Sequence, residues 1–275
     1  MNHPSPRQAL IDAAARFGFS ATPRLDAELL LAHALGIPRE RLLLTLGDHV
    51  VPPAFADLVE RRARHEPIAY ITRIRAFWTI DIQVGPGVLV PRADSETLIE
   101  AAVAHFRGTG GPATILDLGT GPGTLLLAAL DQWPEATGLG IDASPQALEY
   151  ARRNAEALGL TNRAHLEQSD WLADRNARFD LILCNPPYIA TDAALPPEVS
   201  AYEPAEALYA GPDGLDAYRL LAPQIARALA PGGIACIEIG YDQGESAAAL
   251  FRAEGLDVSV RRDLAGQDRC LVATP

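Results

Sequence analysis

Four residues at 185–188 combine an amide, two prolines and a phenol: Asn185, Pro186, Pro187 and Tyr188. They directly follow an apolar run at 181–184, which we predict to be a buried strand. Two consecutive prolines have a fixed φ and no N–H. The chain is therefore stiff here and leaves the sheet at the carboxyl end of the strand, where open α/β sheets bind ligands. The Asn185 side-chain oxygen, the Pro186 carbonyl and the Tyr188 ring fit a planar group that carries an –NH2, because the oxygens accept its N–H bonds and the ring lies on its face. The alternative is a turn that only ends a strand.

A glycine-rich loop lies upstream, between a predicted strand at 114–118 and a predicted helix at 124–132. It contains Asp117, Gly119, Thr120, Gly121, Pro122 and Gly123. Glycines at such a position let backbone N–H groups and the helix N-terminus approach a ligand closely. The next predicted strand leads to Asp142, 23 residues after Gly119, which is near the usual spacing for an acid that binds the two ribose hydroxyls. Leu126 stands where the third glycine of a dinucleotide-binding loop would be, so the spacing alone leaves NAD and S-adenosylmethionine both open.

Asp170 and Trp171 follow the third predicted strand of this series, at 164–168. An acid there can bind an adenine amino group, and an indole can stack on the adenine ring. The fourth strand delivers the turn at 185–188. Hydride transfer does not require a turn of this kind, whereas methyl transfer to an amino or amide nitrogen requires one to hold the nitrogen. The residues therefore favour S-adenosylmethionine as the cofactor.

The elements that must position these residues are strands and helices in alternation. Predicted strands lie at 114–118, 137–141, 164–168, 181–184, 234–239, 258–262 and 269–273. Predicted helices lie between them at 124–132, 145–158, 216–230 and 244–254. Alternation of this kind predicts an α/β fold with a doubly wound, Rossmann-like sheet that carries helices on both faces.

The first part of the chain has helical patterning instead. Apolar residues at three- and four-residue spacing predict helices at 9–17, 23–35 and 53–64, and residues 1–66 are predicted to form a small helical domain that docks the substrate. Residues 67–90 are predicted to be a linker and a β-hairpin, and 91–275 the catalytic domain. Asp94 or Ser95 can cap the next helix, and Glu96 suits its first turn.

The composition excludes several classes of function. The 275 residues are 48% hydrophobic and 21% charged, as in a soluble globular protein. We find no apolar run of membrane-spanning length and no signal-peptide core, and we therefore expect the protein in the cytoplasm. A net charge of −12 argues against the broad basic face of non-specific nucleic-acid binding. The chain has no lysine, which excludes lysine catalysis, and its short basic cluster at 61–64 is expected on a solvated face. The three cysteines are expected to be reduced core residues, and the six scattered histidines indicate no metal site.

The Asp-Leu-Gly-Thr-Gly-x-Gly loop, the acid after the second strand and the Asn-Pro-Pro-Tyr turn resemble the class I S-adenosylmethionine-dependent methyltransferases that act on planar nitrogens. More narrowly, the whole chain is similar to the HemK/PrmC family, the release factor glutamine methyltransferases. The further matches are Glu66-Pro67-Ile68-Ala69-Tyr70 with Phe77, Pro91-Arg92-x-Asp94-x-Glu96, Tyr202-Glu203-Pro204, Asp213-Gly214-Leu215 with Tyr218-Arg219, and Glu238-Ile239-Gly240 with Gln243.

The resemblance implies a helical N-terminal domain, a β-hairpin and a seven-stranded methyltransferase domain. It implies methyl transfer to the side-chain amide nitrogen of the glutamine in the Gly-Gly-Gln loop of class I peptide chain release factors. Carried over by position, Gly119 to Gly123 hold the methionine part of the cofactor, Asp142 the ribose and Trp171 the adenine, while the turn at 185–188 binds the glutamine amide. We expect a monomer without direct contact to nucleic acid or membrane.

The chain departs from the family at two positions that matter. Pro122 removes one N–H donor from the glycine loop, and Arg73 stands where the family usually has glycine. If that glycine needs a positive φ, the entry into the hairpin is altered.

Four other functions remain as alternatives. A ribosomal-protein glutamine methyltransferase shares the turn, and a nucleic-acid amino-group methyltransferase is disfavoured by the charge and by the lack of a target-recognition domain. The intact turn argues against a non-catalytic cofactor-binding protein. A dinucleotide-dependent reductase lacks a proton donor such as a Tyr-x-x-x-Lys pair.

Overall fold

The computed structural model describes residues 5–172 and 176–275. The chain forms two compact units. One consists of the residues up to Ile74 together with Pro196–Tyr202, and the other of Arg75–Leu195 and Glu203–Pro275. The first unit therefore extends past the boundary at residue 66 that the sequence suggests, and it takes in a segment from the second half of the chain.

The helices of the described residues are, in chain order, α1 (Pro6–Ala15), α2 (Pro23–Leu35), α3 (Arg39–Leu44), α4 (Ala54–Ala63), α5 (Ile68–Thr72), α6 (Glu96–His105), α7 (Thr124–Gln132), α8 (Pro145–Ala157), α9 (Pro197–Ser200), α10 (Asp216–Ala228) and α11 (Gly244–Ala253). The strands are β1 (Ile74–Phe77), β2 (Ile80–Gln83), β3 (Thr114–Leu118), β4 (Thr137–Asp142), β5 (Ala164–Gln168), β6 (Phe179–Cys184), β7 (Leu229–Glu238), β8 (Asp257–Arg262) and β9 (Asp268–Thr274).

The first unit is a helical bundle, as the apolar spacing predicts. The Ser5 hydroxyl caps α1 by accepting a hydrogen bond from the Gln8 N–H at 3.2 Å, and Gly36 ends α2 in a left-handed conformation. The core of the bundle includes Leu10, Phe17, Leu30, Leu31 and Leu42. Three short helices of this unit, α3, α5 and α9, were not predicted.

Helix α5 is a correction to the predicted linker. Residues 68–72 are rich in β-branched and aromatic types, which favours strand locally. They are helical because this places Ala69, Tyr70 and Ile71 in buried positions, and Ile71 joins the core of the bundle.

The basic cluster at 61–64 is not a solvated face throughout, which is a second correction. Arg62 is only 4% exposed. It pairs with Asp26 at 2.9 Å and with Glu198 at 2.8 Å, and its guanidinium lies 4.8 Å from the centre of the Phe19 ring. The Tyr202 hydroxyl donates to the Arg64 carbonyl at 2.8 Å. These contacts hold the segment Pro196–Tyr202, which includes α9, on the helical unit.

Arg73 adopts φ +66°, the left-handed conformation that suits glycine. This conformation costs an L-residue roughly 1–2 kcal/mol, while glycine loses about 0.5–1 kcal/mol more backbone entropy on folding. We therefore expect Arg73→Gly to raise the free energy of unfolding by about 0.5–1 kcal/mol in urea titrations. Arg73→Ala is the matched control, because it removes the same charged side chain but keeps the Cβ. Equal stability of the two variants would contradict this account.

The second unit contains the hairpin of β1 and β2 and a seven-stranded sheet of order β5-β4-β3-β6-β7-β9-β8. Neighbouring strands are parallel except at β9, which runs antiparallel to β7 and β8. The predicted doubly wound, Rossmann-like fold is confirmed. Leu118 on β3 lies between Ile141 on β4 and Cys184 on β6, so the residues that follow these three strands meet at one edge of the sheet.

Leu126 occupies the position of the missing third glycine without harm to the packing. It is fully buried on α7 and faces Gly138 and Gly140 of β4. A Cβ on Gly138 would lie 2.4 Å from its Cδ1. The small residues that allow helix and strand to approach are therefore on the strand instead of the helix.

The cysteines are as expected: Cys184, Cys236 and Cys270 are all buried and unpaired. Among the helices of the described ranges, none combines the length and apolarity needed to cross a membrane.

Candidate active site

A cavity of about 310 Å³ opens at the carboxyl ends of the central strands, and every residue that lines it belongs to the second unit. This volume is within the usual range of small-molecule sites, about 300–1,000 Å³. The sequence-predicted residues in its wall are Asp117, Gly119, Thr120, Gly121, Pro122, Asp142, Asp170, Trp171, Asn185 and Pro187. Gly123, the N-cap of α7, is not in the wall; its α-carbon faces Leu127 and Ala151 instead.

Asp117 supplies a buried carboxylate at the end of β3 and is 1% exposed. Its Oδ2 accepts hydrogen bonds from the Thr120 hydroxyl at 2.6 Å and from the Leu126 N–H at 3.1 Å. Its Oδ1 is buried without a partner among the described residues. Burial raises the pKa of Asp117 to about 7. An acceptor left open in the wall of a cavity fits a cationic donor such as a ligand amino group.

Asp142 ties the glycine loop to β4. Its Oδ2 accepts from the Gly121 N–H and its Oδ1 from the Ser144 N–H, both at 2.8 Å. Burial raises the pKa of Asp142, these two bonds oppose the rise, and the nearby Glu206 carboxylate adds to it. Each carboxylate oxygen keeps a lone pair that can accept from a ligand hydroxyl.

Trp171 lies against the glycine loop. A Cβ added to Gly119 would be 3.4 Å from Cζ3 of the indole, so a side chain at 119 would press on the ring. Trp171 itself has φ +53°, which is uncommon for a bulky residue and aims its ring at this position. Asp170 lines the same wall with an exposed side chain. Both residues therefore line the same cavity as the glycine loop.

Asn154 on α8 is a residue that the sequence analysis missed. Its amide donates to the Pro122 carbonyl at 2.8 Å and to the Gln83 carbonyl at 3.0 Å, and its oxygen accepts from the Gln83 N–H at 2.8 Å. The loop therefore loses an N–H donor at Pro122 but is held through the carbonyl of the same residue. The sequence contains one indication of this role: Asn154 is a polar residue on the apolar face of a predicted helix, next to Ala151 and Ala155.

The turn at 185–188 divides its residues between the cavity and the protein interior. Asn185 and Pro187 line the cavity, while Pro186 and Tyr188 do not. The Tyr188 hydroxyl donates to Oε1 of Glu238 at 3.1 Å, and burial raises the pKa of Tyr188 above its usual value. The Asn185 amide donates to the Ser95 hydroxyl at 3.4 Å. The Tyr188 hydroxyl is therefore engaged inside the protein, behind the part of the turn that lines the cavity.

The prediction that Asp94 or Ser95 caps the helix is wrong, whereas Glu96 does lie in the first turn of α6. Ser95 precedes α6 but its side chain makes no capping hydrogen bond; the hydroxyl is buried at the cavity and meets Asn185. Glu96 accepts from the Trp78 N–H at 2.9 Å and so holds the turn of the hairpin. Asp94 lies 3.7 Å from Arg269. These side chains contact distant parts of the chain, which no local pattern reveals.

Several matched motifs meet behind the turn. The Gln243 amide donates to the Tyr188 carbonyl at 2.9 Å, and the Tyr218 hydroxyl donates to the Glu238 carbonyl at 3.0 Å. Gly214 has φ +71°, and a Cβ there would lie 2.4 Å from the Tyr188 carbonyl oxygen. The turn is thus held by bonds to its backbone and by the close approach of Gly214. In the described ranges no group of His, Cys, Asp and Glu side chains is arranged to hold a metal.

Comparison with known proteins matches both units. A family described as "PrmC N-terminal domain" matches residues 8–72, and one described as "Methyltransferase domain" matches 112–255. Release factor glutamine methyltransferases from three organisms are similar over most of this chain. The relative from Rhodospirillum rubrum is 47% identical over 258 residues (91% of this chain, 78% of the relative), and that from Caulobacter vibrioides 44% over 257 (91% and 89%). The relative from Moorella thermoacetica is 43% identical over 277 (97% and 97%).

A solved structure is also similar. A methyltransferase from Pyrococcus furiosus superposes with a TM-score of 0.55 at 20% identity and covers 78% of this chain and 97% of its own. At this identity the likeness concerns the fold.

Proposed function

Because the chain belongs to the family of release factor glutamine methyltransferases, we propose that its cavity binds S-adenosylmethionine and that the turn at 185–188 presents a glutamine side chain to it. The enzyme transfers a methyl group to the side-chain amide nitrogen (N5) of the glutamine in the Gly-Gly-Gln motif of class I peptide chain release factors. The observation that carries the proposal is that Asn185 lines the same cavity as the glycine loop. A group held by the turn is therefore beside whatever the loop holds.

The wall of the cavity fits the cofactor. The open Oδ1 of Asp117 suits the amino group of the methionine part, and the spare lone pairs of Asp142 suit the ribose hydroxyls. The Trp171 indole and the Asp170 carboxylate suit the adenine ring and its amino group. When bound, S-adenosylmethionine supplies a methyl group on a sulfonium, which is electrophilic enough to react with a weak nucleophile.

The residues of the turn position the amide. An amide nitrogen is a poor nucleophile because its lone pair is delocalised into the carbonyl. Asn185 Oδ1 and the Pro186 carbonyl accept its two N–H bonds, which orients the nitrogen and stabilises the positive charge that grows on it. Tyr188 does not line the cavity, so its proposed part is to support the turn from behind through its hydroxyl bond to Glu238. No base is needed early, because the nitrogen loses its proton only after the new N–C bond has formed.

The helical unit is the proposed docking site for the release factor. It exposes several large apolar side chains, among them Leu44 at 87% and Val50 at 71%, which a protein partner can cover. We place the enzyme in the cytoplasm as a monomer, without direct contact to nucleic acid or membrane. The net charge of −12 supports the absence of a nucleic-acid interface.

The test is methyl transfer from labelled S-adenosylmethionine to a class I release factor, with the same factor carrying Gly-Gly-Ala as the control. Label on the wild-type factor alone is the expected result. Label on neither factor, with the cofactor still bound, would refute the proposed substrate. Ribosomal proteins and then RNA would become the acceptors to try.

A further inference from the structure

The turn at 185–188 is fixed to the protein at its two ends by different means. Two of its four residues are prolines, which have no N–H and donate no hydrogen bond. Asn185 directly follows Cys184, which pairs with Ile237 across β6 and β7, so the sheet fixes the start of the turn. At the end of the turn, the backbone carbonyl of Tyr188 is the point of attachment.

The side chain of Gln243 binds this carbonyl together with two other parts of the backbone. Its Nε2 donates to the Tyr188 carbonyl at 2.9 Å and to the Gly214 carbonyl at 3.3 Å. Its Oε1 accepts from the Gly240 N–H at 3.0 Å. Gln243 is also the N-cap residue of α11, and its own carbonyl accepts from the Ala247 N–H at 2.9 Å, so its backbone is anchored to a helix. One amide group thus joins the end of the turn to the segment before α10 and to the segment that leaves β7.

The partners of Gln243 decide which way its amide points. The Tyr188 and Gly214 carbonyls can only accept, so both must face the NH2 group. The Gly240 N–H can only donate, so it must face the amide oxygen. A carboxylate of the same length would keep the bond to Gly240 but would set an acceptor against two acceptors. The position therefore requires a glutamine.

Two glycines allow the amide to come this close. A Cβ on Gly240 would lie 2.8 Å from Oε1 of Gln243. Gly214 has φ +71°, and a Cβ there would lie 2.4 Å from the Tyr188 carbonyl oxygen and 2.8 Å from Nε2 of Gln243. A side chain at 214 would therefore push the carbonyl and the amide apart.

We infer that Gln243 is a positioning residue for methyl transfer: by holding the Tyr188 carbonyl it fixes the turn, and with it the Asn185 and Pro186 oxygens that bind the glutamine amide. The inference rests on the proposed function, because it concerns the site that binds this amide. The φ angles of the two prolines are fixed, so a shift of Tyr188 is passed on to Pro186 instead of being absorbed between them. Gln243 does not line the cavity and acts only through the turn.

Gln243→Glu tests the inference directly, because it removes both donors and keeps the length of the side chain. We expect kcat to fall about 10–100-fold, since a misplacement of about 1 Å at a reacting centre costs about 10²-fold. The Kd of S-adenosylmethionine and the KM of the release factor are expected to change less than about threefold, because Gln243 is outside the cavity wall and outside the helical unit. Gln267→Glu, the same substitution at an exposed residue between β8 and β9, is the matched control and is expected to leave kcat unchanged.

Gly214→Ala provides the second variant, which keeps the inference testable if Gln243→Glu folds poorly. It leaves the amide intact but separates it from the Tyr188 carbonyl, and it is expected to lower kcat by a similar factor. Gly159 has φ +70°, and a Cβ there would have no atom of the described residues within 4 Å. Gly159→Ala therefore adds the same backbone strain without the contact, and it is expected to keep the kcat of wild type. The double variant of Gln243→Glu and Gly214→Ala is expected to resemble either single variant, because both release the same carbonyl.

A purely structural role for Gln243 predicts a different pattern. Cofactor affinity would fall together with kcat in Gln243→Glu, and Gly159→Ala would lower kcat as much as Gly214→Ala. That pattern, or a kcat within about twofold of wild type in both Gln243→Glu and Gly214→Ala, would overturn the inference. A wild-type enzyme that labels no release factor would instead refute the proposed function, so the two failures are distinct.

Discussion

Asn185→Ala is expected to lower kcat by about three orders of magnitude, with the release factor and S-adenosylmethionine both at saturation. The variant removes the side-chain acceptor that orients the glutamine nitrogen and stabilises its developing charge, and it leaves Ser95 without its partner. Removal of a single pre-organised polar group at a reacting centre costs about 10²–10³-fold, and loss of orientation adds to this. Single-turnover transfer of labelled methyl is the direct measurement.

Cofactor binding separates this result from a folding defect. Asp117, Asp142 and Trp171 are untouched in the variant, so the Kd of S-adenosylmethionine, measured by calorimetry, is expected to stay within about twofold of wild type. Asn162→Ala, at an exposed residue in the turn after α8, is the control and is expected to have full activity. Turnover near the wild-type rate in Asn185→Ala would contradict the proposed mechanism.

The second large effect is expected on cofactor binding. Asp117→Asn keeps an oxygen that can accept from Thr120 and Leu126, but it replaces the open Oδ1 with an NH2. The substitution removes a charge-assisted hydrogen bond to the ligand amino group. It also places two donors, the new side-chain NH2 and the ligand amino group, against each other. Because such bonds contribute about 1.5–3 kcal/mol, the Kd of S-adenosylmethionine is expected to rise about 10–100-fold. Asp192→Asn, at an exposed carboxylate, is the control.

The same residue predicts a pH dependence with a definite sign. The pKa of Asp117 in the folded protein is about 7, above the ordinary value of 3.8. Below pH 7 the carboxyl is increasingly protonated and stops accepting, so cofactor affinity in the wild type is expected to fall as the pH is lowered from 7.5 to 5.5. The stability of the ligand-free protein is expected to show the reverse dependence: the favourable contribution of the neutral carboxyl is fully present below pH 4 and is lost as the pH rises through 7. Asp117→Asn should lack both slopes. If the pH dependence of cofactor affinity or of stability were unchanged in Asp117→Asn, a group other than Asp117 would be responsible for it.

Much of the fold can be predicted from the sequence, because central parallel strands are apolar on both faces and show as short continuous runs. The run before Asn185 and the run before Gly119 are examples, and their carboxyl ends meet as the rules for open sheets require. Short helices such as α3 and α5 cannot be predicted in this way, since tertiary packing overrides local preference over five or six residues.

In the candidate site, too, some residues can be predicted from the sequence and others cannot. The cavity residues that could be predicted from the sequence lie at or just after the ends of strands, and their types indicate their chemistry. The residues that hold them give no such indication. Ser95 has the local pattern of a helix cap, Glu238 that of a polar residue at the end of a strand, and Asn154 that of one more helix position. Their contacts join residues that are between 32 and 90 positions apart in sequence, and only the folded topology brings them together.

The helical unit has a consequence for the order in which the protein is completed on the ribosome. Arg62 is made early, but its partner Glu198 follows 136 residues later. During synthesis the Arg62 guanidinium can already pair with Asp26, which is in the same unit. The segment Pro196–Tyr202, which completes this unit, has not yet been made. By the time this segment is translated, the strand and the turn at 185–188 have already been made. The helical unit, which is the proposed docking site, therefore reaches its final form only after the turn at 185–188 has been made.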